Sequence, residues 1–232
     1  MHNKTPKISV IIPTLNEQDT IQQVLMSIPM SKMPPTEIIV VDSGSADRTV
    51  EFAEVLGVKV IAEHKRSYGN AILQGIRNAK ADIVVVMDAG YQYNPHEIPR
   101  LIYPVMRGEC EMVLGKRLAK ATYPPLAPWR KVALALMSLL FNFLFESTIG
   151  DFTSGFRVMT KSIAMDILPR DMGKDPISFQ VQSLAAASIR NFRIKEVPVT
   201  YVQRPVRDKI RTLTSIFRLF TLLIKGRLYL WK

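Results

Sequence analysis

The sequence has few of the residues from which redox and metal centres are built. It contains one cysteine, Cys110, and three histidines among 232 residues. A single cysteine excludes an intramolecular disulfide, and the histidines are too far apart in the sequence for a metal-binding motif. Cys110 itself is more typical of a small core residue than of a nucleophile.

Glycine-rich phosphate-binding motifs and long apolar runs are also missing. A dinucleotide-binding loop would need G-x-G-x-x-G after the first strand, but residues 13–17 contain no glycine, and no Walker-type loop is present. No apolar run reaches the roughly 18 to 20 residues of a membrane-spanning helix. Residues 1–7 are polar and do not resemble a cleavable signal.

Acidic residues are outnumbered by basic ones, 20 to 31, which gives a formal net charge of +11. Such a charge favours an anionic partner, which would be nucleic acid, phospholipid headgroups or a phosphorylated substrate. We expect no nucleic-acid partner, because no recognised binding motif is present and the basic residues flank apolar helices instead of stacking aromatics.

Short apolar runs alternate with helix-compatible segments over the first half of the chain. The predicted strands there are 8–12, 37–41, 58–62, 83–86 and 112–114, and a late strand is predicted at 193–200. This alternation predicts one α/β domain with a doubly wound, largely parallel sheet.

Carboxylates follow three of these strands: Glu17, Asp42 and Asp88. Ligands of open α/β sheets bind outside the carboxyl ends of the strands, so Asp88 is a candidate for chemistry, although it is equally suited to cap the helix that follows. Three acids at one edge repel each other unless a cation or hydrogen-bond donors lie among them. A nucleotide with its ribose hydroxyls and a Mg²⁺-bound diphosphate supplies both.

Two apolar segments, 132–145 and 210–224, are predicted to be helices. The first would be about 21 Å long, which is shorter than the roughly 30 Å hydrocarbon core of a bilayer. Basic residues precede the first segment, and mixed basic and aromatic residues follow the second, a pattern typical of helices on an anionic membrane surface. The alternative is that both helices pack against each other or the sheet.

Four short segments occur in an order that is typical of one enzyme family. They are Pro-Thr-Leu-Asn-Glu at 13–17, Asp-Ser-Gly-Ser-Ala-Asp-Arg-Thr at 42–49, Tyr-Gly-Asn-Ala at 68–71 with Gly75, and Asp-Phe-Thr-Ser-Gly-Phe-Arg at 151–157. Together they resemble family 2 glycosyltransferases, most closely the dolichyl-phosphate mannose synthase-like enzymes, which glycosylate polyprenyl phosphates. The resemblance implies a GT-A fold, a mostly parallel sheet with flanking helices, plus apolar interfacial helices. It assigns 1–205 to the transferase domain, including the apolar helix at about 130–146. A basic amphipathic helix at 206–232 is then part of this domain or a membrane-surface appendage.

The resemblance also implies roles for individual residues. The nucleotide-sugar would contact Pro13, Leu15, Glu17, Asp42 and Asp88. A divalent cation, Mg²⁺ or Mn²⁺, would bind Asp88 and Gln92. The acceptor phosphate would contact Arg117, Arg157, Arg207 and Lys209. Catalysis would rest on Asp88, Asp151 and Arg157.

One position departs from the family pattern. The family usually has Asp-Ala-Asp-x-Gln where this chain has Asp-Ala-Gly-Tyr-Gln, with Gly90 in place of the second carboxylate. Fewer anionic ligands bind Mg²⁺ more weakly, although substrate phosphates can complete the coordination shell.

The expected function is that of an inverting glycosyltransferase. It would move a sugar from a nucleotide-diphosphate donor to a polyprenyl phosphate, with the protein cytoplasmic and peripherally bound to the cytoplasmic face of the membrane. A phosphate acceptor needs no general base. Asp151 is the one candidate for such a base, and its alternative role is to hold the 154–156 turn or to orient Arg157. The alternative is a non-catalytic protein that binds nucleotide-sugar or membrane on a degenerate GT-A fold.

Overall fold

The computed structural model describes residues 7–30, 34–123, 128–168, 175–202 and 220–224 except 222. The strands are β1 Ile8–Thr14, β2 Glu37–Asp42, β3 Lys59–Ala62, β4 Ile83–Val86, β5 Met112–Tyr123, β6 Arg157–Thr160 and β7 Ile194–Val202. The helices are α1 Ile21–Met26, α2 Thr49–Val55, α3 Tyr68–Asn78, α4 Ile98–Met106, α5 Pro128–Phe145, α6 Lys161–Ile167 and α7 Pro176–Ile189.

The seven strands form one sheet in the order β3-β2-β1-β4-β6-β5-β7. Strands β1 to β4 pair in parallel, as do β5 and β7, whereas β6 runs antiparallel to both of its neighbours, β4 and β5. The β4 segment Ile-Val-Val-Val is buried at every position, as is typical of a strand covered on both faces. The predicted mostly parallel α/β sheet is confirmed.

Helices cover both faces of the sheet, and the side chains of β1 show how the two cores divide. Val10 and Ile12 point into a core formed with α1, α2 and α4, whereas Ile11 points into a core formed with α3, α5, α6 and α7. This alternation follows the two-residue period of a strand. Helix α3 lies close to β1, because a Cβ atom at Gly75 would collide with Ile11.

Helix α5 has one buried and one exposed face. Phe141 and Phe145 are buried in the core, where Phe141 stacks on Phe152 with 5.2 Å between ring centroids. On the opposite face, five large apolar side chains at alternating spacings of three and four residues are 45–81% exposed: Trp129, Val132, Leu136, Leu139 and Phe143. We call these five residues the apolar stripe of α5. No helix within the described ranges is long and apolar enough to cross a membrane.

Two parts of the structure differ from the sequence-based expectations, and a third prediction falls mostly outside the described residues. Strand β5 extends to Tyr123, well beyond the predicted end at 114. Helix α6 was not predicted. The predicted helix at 210–224 and the 206–232 segment lie mostly outside the described residues, although Leu223 is fully buried in the core that includes α5.

Candidate active site

The turn after β2 wraps its backbone around the Asp42 carboxylate. Oδ2 accepts hydrogen bonds from the N–H groups of Gly44 at 3.0 Å and Ser45 at 2.9 Å. Oδ1 accepts from the hydroxyls of Ser45 at 2.5 Å and Thr14 at 3.2 Å, and Thr14 ends the neighbouring strand β1. Gly44 has φ +84°, a conformation that glycine adopts without strain. Asp42 therefore fixes the turn at the carboxyl end of two parallel strands.

The residues after β1 reach towards the end of β4. The Thr20 hydroxyl lies 3.1 Å from Glu17 Oε2 and 2.8 Å from the carbonyl oxygen of Ala89. Thr20 thereby links the Glu17 carboxylate to the residue that follows Asp88. Leu15 is exposed at this edge, whereas Pro13 is buried within β1. The structure thus brings the expected nucleotide-binding residues to one edge of the sheet, with Pro13 beneath its surface.

Asp88 lies just beyond β4, between a tyrosine and a glycine. Its Oδ1 accepts a hydrogen bond of 2.5 Å from the Tyr68 hydroxyl, at the start of α3. Burial, and then the charge of Asp88, raise the pKa of Tyr68 well above its ordinary value, so this phenol is a donor at neutral pH. The other carboxylate oxygen of Asp88, Oδ2, lies against Gly155, where an added Cβ atom would be only 2.6 Å from that oxygen.

Gln92 and Arg117 are joined through Tyr201 of β7. Gln92 Nε2 donates to the Tyr201 hydroxyl at 2.9 Å, and the Arg117 guanidinium lies over the Tyr201 ring, 5.1 Å from its centroid. Arg117 also donates through Nε and Nη2 to the two carboxylate oxygens of Asp151, at 2.7 and 2.6 Å. Tyr201 thus connects the expected metal-binding residue to the expected acceptor-binding residue.

The Arg117–Asp151 ion pair is largely buried, with side chains 21% and 13% exposed. Burial alone would raise the pKa of Asp151, but the charge and hydrogen bonds of Arg117 outweigh it and hold this pKa below its ordinary value. Burial alone would lower the pKa of Arg117, but the nearby Tyr93 and Asp151 hold this pKa above its ordinary value. Asp151 is therefore a carboxylate at neutral pH and a weak base.

The loop that carries Asp151 is held from two sides. Glu196 of β7 accepts hydrogen bonds from the backbone N–H groups of Gly150 at 3.0 Å and Asp151 at 2.8 Å. On the other side, the Ser138 hydroxyl of α5 donates to the carbonyl oxygen of Gly150 at 2.9 Å. Helix α5 is thus in direct contact with the loop that positions the ion pair.

Arg157 does not lie where the resemblance implied. Its side chain is 0% exposed, and its guanidinium donates to the carbonyl oxygens of Ser154, Phe152 and Gln180 and to the Ser183 hydroxyl, at 2.6–3.3 Å. Burial lowers the pKa of Arg157 to about 10. Since this guanidinium is enclosed by protein acceptors, it joins the 152–154 loop to α7 and is not presented to an acceptor phosphate or a reacting group. Arg207 and Lys209 lie outside the described residues.

Asp88 and Gln92 have the donor chemistry for a hard divalent cation. No group of three or more His, Cys, Asp or Glu side chains within the described ranges is arranged to hold a metal by itself. Mg²⁺, however, is commonly bound through one or two carboxylates, with substrate phosphates and water completing the shell. The Asp88 carboxylate, half-buried and backed by Gly155, fits that mode, and the Gln92 amide adds an oxygen of the same type.

Sequence reasoning missed four residues of this site. Tyr68 and Gly155 lie in segments that carry the family resemblance, but nothing in a linear pattern indicates that both contact Asp88. Tyr201 lies one residue beyond the predicted strand at 193–200 and gave no signal. Arg66 was also missed, and its guanidinium lies beside Gly44, 3.5 Å from where a Cβ atom would stand.

Comparison with known protein families supports an assignment. The sequence model described as "Glycosyl transferase family 2" matches residues 9–168. A low-salt glycan biosynthesis hexosyltransferase of Haloferax volcanii is 30% identical over 86% of this chain and 48% of its own length. The dolichol-phosphate mannosyltransferase of Pyrococcus furiosus is 29% identical over 84% of this chain and 56% of its own. The chain thus spans about half the length of these two relatives. A dolichyl-phosphate hexose transferase of Haloferax volcanii is 28% identical, with 88% of this chain and 86% of that protein covered.

Solved structures show the same fold. Glucosyl-3-phosphoglycerate synthase from Mycobacterium tuberculosis, in complex with Mn²⁺, uridine diphosphate and phosphoglyceric acid, superposes with a TM-score of 0.74. It is 24% identical, and the alignment covers 96% of this chain and 79% of that one. The same enzyme with Mg²⁺ and uridine diphosphate gives a TM-score of 0.73 at 22% identity, over 96% of this chain and 79% of that one.

Proposed function

The chain belongs to glycosyl transferase family 2, and on this basis we propose that it transfers a sugar from a nucleoside-diphosphate donor to a polyprenyl phosphate. The observation that carries the proposal is the joining, through Tyr201, of the sheet edge that holds Asp88 and Gln92 to the Arg117–Asp151 pair. Relatives named for dolichol-phosphate and dolichyl-phosphate transfer support a lipid phosphate as the acceptor.

The donor would lie across the ends of β1, β2 and β4. Glu17 and the turn held by Asp42 suit the base and ribose, since both present hydrogen-bonding groups at an exposed edge. Asp88 and Gln92 would hold a divalent cation on the donor diphosphate, as Mn²⁺ and Mg²⁺ accompany uridine diphosphate in the solved structures with this fold. Such a cation offsets the charge that builds on the leaving diphosphate.

The acceptor would lie beside Arg117. In a single displacement, an oxygen of the acceptor phosphate attacks the anomeric carbon while the bond from that carbon to the donor diphosphate breaks, so the configuration inverts. A phosphomonoester is mostly dianionic at pH 7, so no residue has to remove a proton. The lowered pKa of Asp151 agrees with a role in orienting Arg117 and not with that of a base.

The apolar stripe of α5 supports a membrane surface as the place of reaction. Five exposed apolar side chains on one helix face form a larger patch than scattered surface residues do, and α5 contains Arg130 and Lys131 but no acidic residue. We propose that this face lies on anionic lipid at the cytoplasmic side of the membrane. The contact between Ser138 and Gly150 would then set the acceptor-binding loop close to the lipid surface.

The proposal is tested by product formation. Purified protein is incubated with radiolabelled UDP-glucose or GDP-mannose and a polyprenyl phosphate in anionic vesicles, and label is counted in the organic phase. We expect lipid-linked label with Mn²⁺ or Mg²⁺ and none with EDTA or in Asp88→Ala. Gly90 favours one alternative, a non-catalytic binder of nucleotide-sugar or membrane. Nucleotide binding without any labelled lipid over a panel of donors would favour that alternative.

A further inference from the structure

We propose that Tyr68 is a positioning residue for the Asp88 carboxylate, and that with Gly155 it compensates for the single carboxylate of this metal site. The inference rests on the proposed function in one respect, the binding of a divalent cation with the nucleotide. It concerns an interaction that the sequence alone did not indicate, a hydrogen bond of 2.5 Å between residues 20 positions apart.

The tyrosine is itself held in place. Its ring packs edge-on against Phe179 of α7, with 5.7 Å between ring centroids, and lies against the core formed with α3, α5, α6 and α7. The hydroxyl is therefore a fixed donor to Asp88 Oδ1 and does not move with a flexible side chain.

Gly155 restricts the orientation of the Asp88 carboxylate from the side opposite Tyr68. Its backbone N–H donates to the Tyr93 hydroxyl at 3.0 Å, which anchors the glycine against a buried residue. Because a Cβ atom here would be 2.6 Å from Asp88 Oδ2, only glycine leaves room for the carboxylate in this orientation. Asp88 thus has one oxygen bound by a hydroxyl and the other against a backbone.

This arrangement matters more here than in a site with two carboxylates. The terminal torsion of aspartate is broad, so a carboxylate without such contacts samples many orientations. Where two carboxylates share a cation, the second one retains part of the metal affinity when the first is poorly oriented. With Gly90 at the second position, the orientation of Asp88 depends on its neighbours, and partners that orient a metal ligand strongly affect metal affinity.

The experiment compares metal binding with nucleotide binding in Tyr68→Phe, which keeps the ring on Phe179 and removes the hydroxyl. Mn²⁺ affinity is measured by the electron paramagnetic resonance signal of free Mn²⁺, in the presence of saturating uridine or guanosine diphosphate. We expect roughly 10- to 100-fold weaker Mn²⁺ binding, with nucleotide affinity in EDTA and thermal unfolding unchanged. Tyr103→Phe, which alters an exposed tyrosine of α4, is the matched control and should bind Mn²⁺ like wild type.

A double-mutant cycle separates positioning from general destabilisation. In an Asp88→Ala background, Tyr68→Phe should cause no further loss of Mn²⁺ affinity, because the carboxylate that Tyr68 positions is already gone. Gly155→Ala, checked for folding by its thermal unfolding, should weaken Mn²⁺ binding in the same way.

Three results would overturn the inference. They are unchanged or tighter Mn²⁺ binding in Tyr68→Phe, an equal loss of metal-free nucleotide affinity, and a wild type that binds no Mn²⁺ with either nucleotide. Failure of sugar transfer is a separate outcome. A protein that binds Mn²⁺ through Asp88 and Tyr68 but forms no labelled lipid would refute the proposed transfer and leave the positioning role standing.

Discussion

Gly90 leaves the end of β4 with Asp88 as its one carboxylate, yet the backbone conformation at position 90 does not require glycine. The described glycines with positive φ are Gly44, Gly57 and Gly108, so Gly90 does not need the conformational freedom of glycine. The left-handed conformation belongs instead to the next residue, Tyr91, with φ 52°. A side chain at position 90 therefore brings no backbone strain of that kind.

From this we expect Gly90→Asp to tighten Mn²⁺ or Mg²⁺ binding in the nucleotide complex. A second carboxylate adds ligand charge, which hard cations favour, and the gain should be on the order of tenfold in affinity. Titration of free Mn²⁺ in the presence of nucleoside diphosphate measures it. Gly90→Asn is the matched control, with nearly the same volume and no charge. Equal affinities for the two variants would show that position 90 does not face the cation.

The Arg117–Asp151 pair gives a prediction about acid stability. The pKa of Asp151 in the folded protein lies below its ordinary value. The stability from the pair is therefore fully present above the unfolded pKa of about 3.9 and is lost as the pH falls through the lower folded pKa. Asp151→Asn should lower the free energy of unfolding by about 3 kcal/mol at pH 7, since it leaves Arg117 buried without its counter-charge.

Urea unfolding at a series of pH values tests this expectation. The difference between wild type and Asp151→Asn should stay constant from pH 7 to pH 5 and shrink below about pH 4. Asp166→Asn serves as the control, because Asp166 pairs with Arg190 at 3.4 Å on the surface, where both side chains are about half exposed. This substitution should change the free energy of unfolding little. A pH-independent difference would contradict the assigned ionisation of Asp151.

The sequence predicted some kinds of site residue better than others. Glu17, Asp42 and Asp88 were predicted to share one edge because each follows a parallel strand, and the structure places them there. Arg157 was misjudged, since arginine is seldom fully buried and a linear motif does not tell which way a side chain points. Tyr68 was missed because its contact with Asp88 depends on how α3 lies across the sheet.

At the scale of secondary structure, the two faces of α5 have different roles. On the inner face, the Asn142 side chain exchanges hydrogen bonds with the backbone of Ile149, at 2.9 and 3.0 Å. Together with Ser138 it fixes the start of the loop that carries Asp151. The outer face carries the apolar stripe, whose five side chains are 45–81% exposed. The helix therefore joins a candidate membrane surface to the candidate acceptor site.

Charged substitutions in the stripe should weaken membrane binding without unfolding the protein. Leu136→Glu and Leu139→Glu replace side chains that are 57% and 67% exposed, so they remove little core packing. They place a negative charge against anionic lipid and take away apolar surface that would insert. Co-sedimentation with vesicles that contain phosphatidylserine should show a several-fold loss of binding.

Val55→Glu is the matched control, because Val55 of α2 is 73% exposed but lies outside the stripe. It should bind vesicles like wild type. If all three variants bind vesicles equally well, α5 is not the membrane-facing element, and the apolar stripe does not contact lipid.

The strands were predicted more accurately than their pairing. Five predicted strands fall on β1 to β5, and Ile83–Val86 matches to the residue, because buried strands are short apolar runs with sharp boundaries. The four residues of β6 gave only a weak signal, and nothing in them indicated that they insert antiparallel between β4 and β5. Pairing direction depends on the path of the chain through residues 115–156, which local patterns do not record.

For the whole molecule, the net charge of +11 and the stripe of α5 act over different distances. Charge attracts the protein to an anionic surface over roughly one Debye length, about 10 Å at 0.1 M salt and 3 Å at 1 M. Apolar insertion acts only on contact and is not weakened by added salt. Membrane binding should therefore have one salt-sensitive and one salt-resistant part.

Flotation with vesicles over a range of salt concentrations separates these two parts. At 0.05 M salt we expect most of the protein to float with anionic vesicles and much less with zwitterionic ones, because each basic residue near an anionic surface contributes about 1 kcal/mol. At 1 M salt, binding to the anionic vesicles should fall to the zwitterionic level, and Leu139→Glu should reduce what remains. Equal flotation with both lipids at low salt would mean that the charge of the chain serves a phosphorylated substrate and not the membrane.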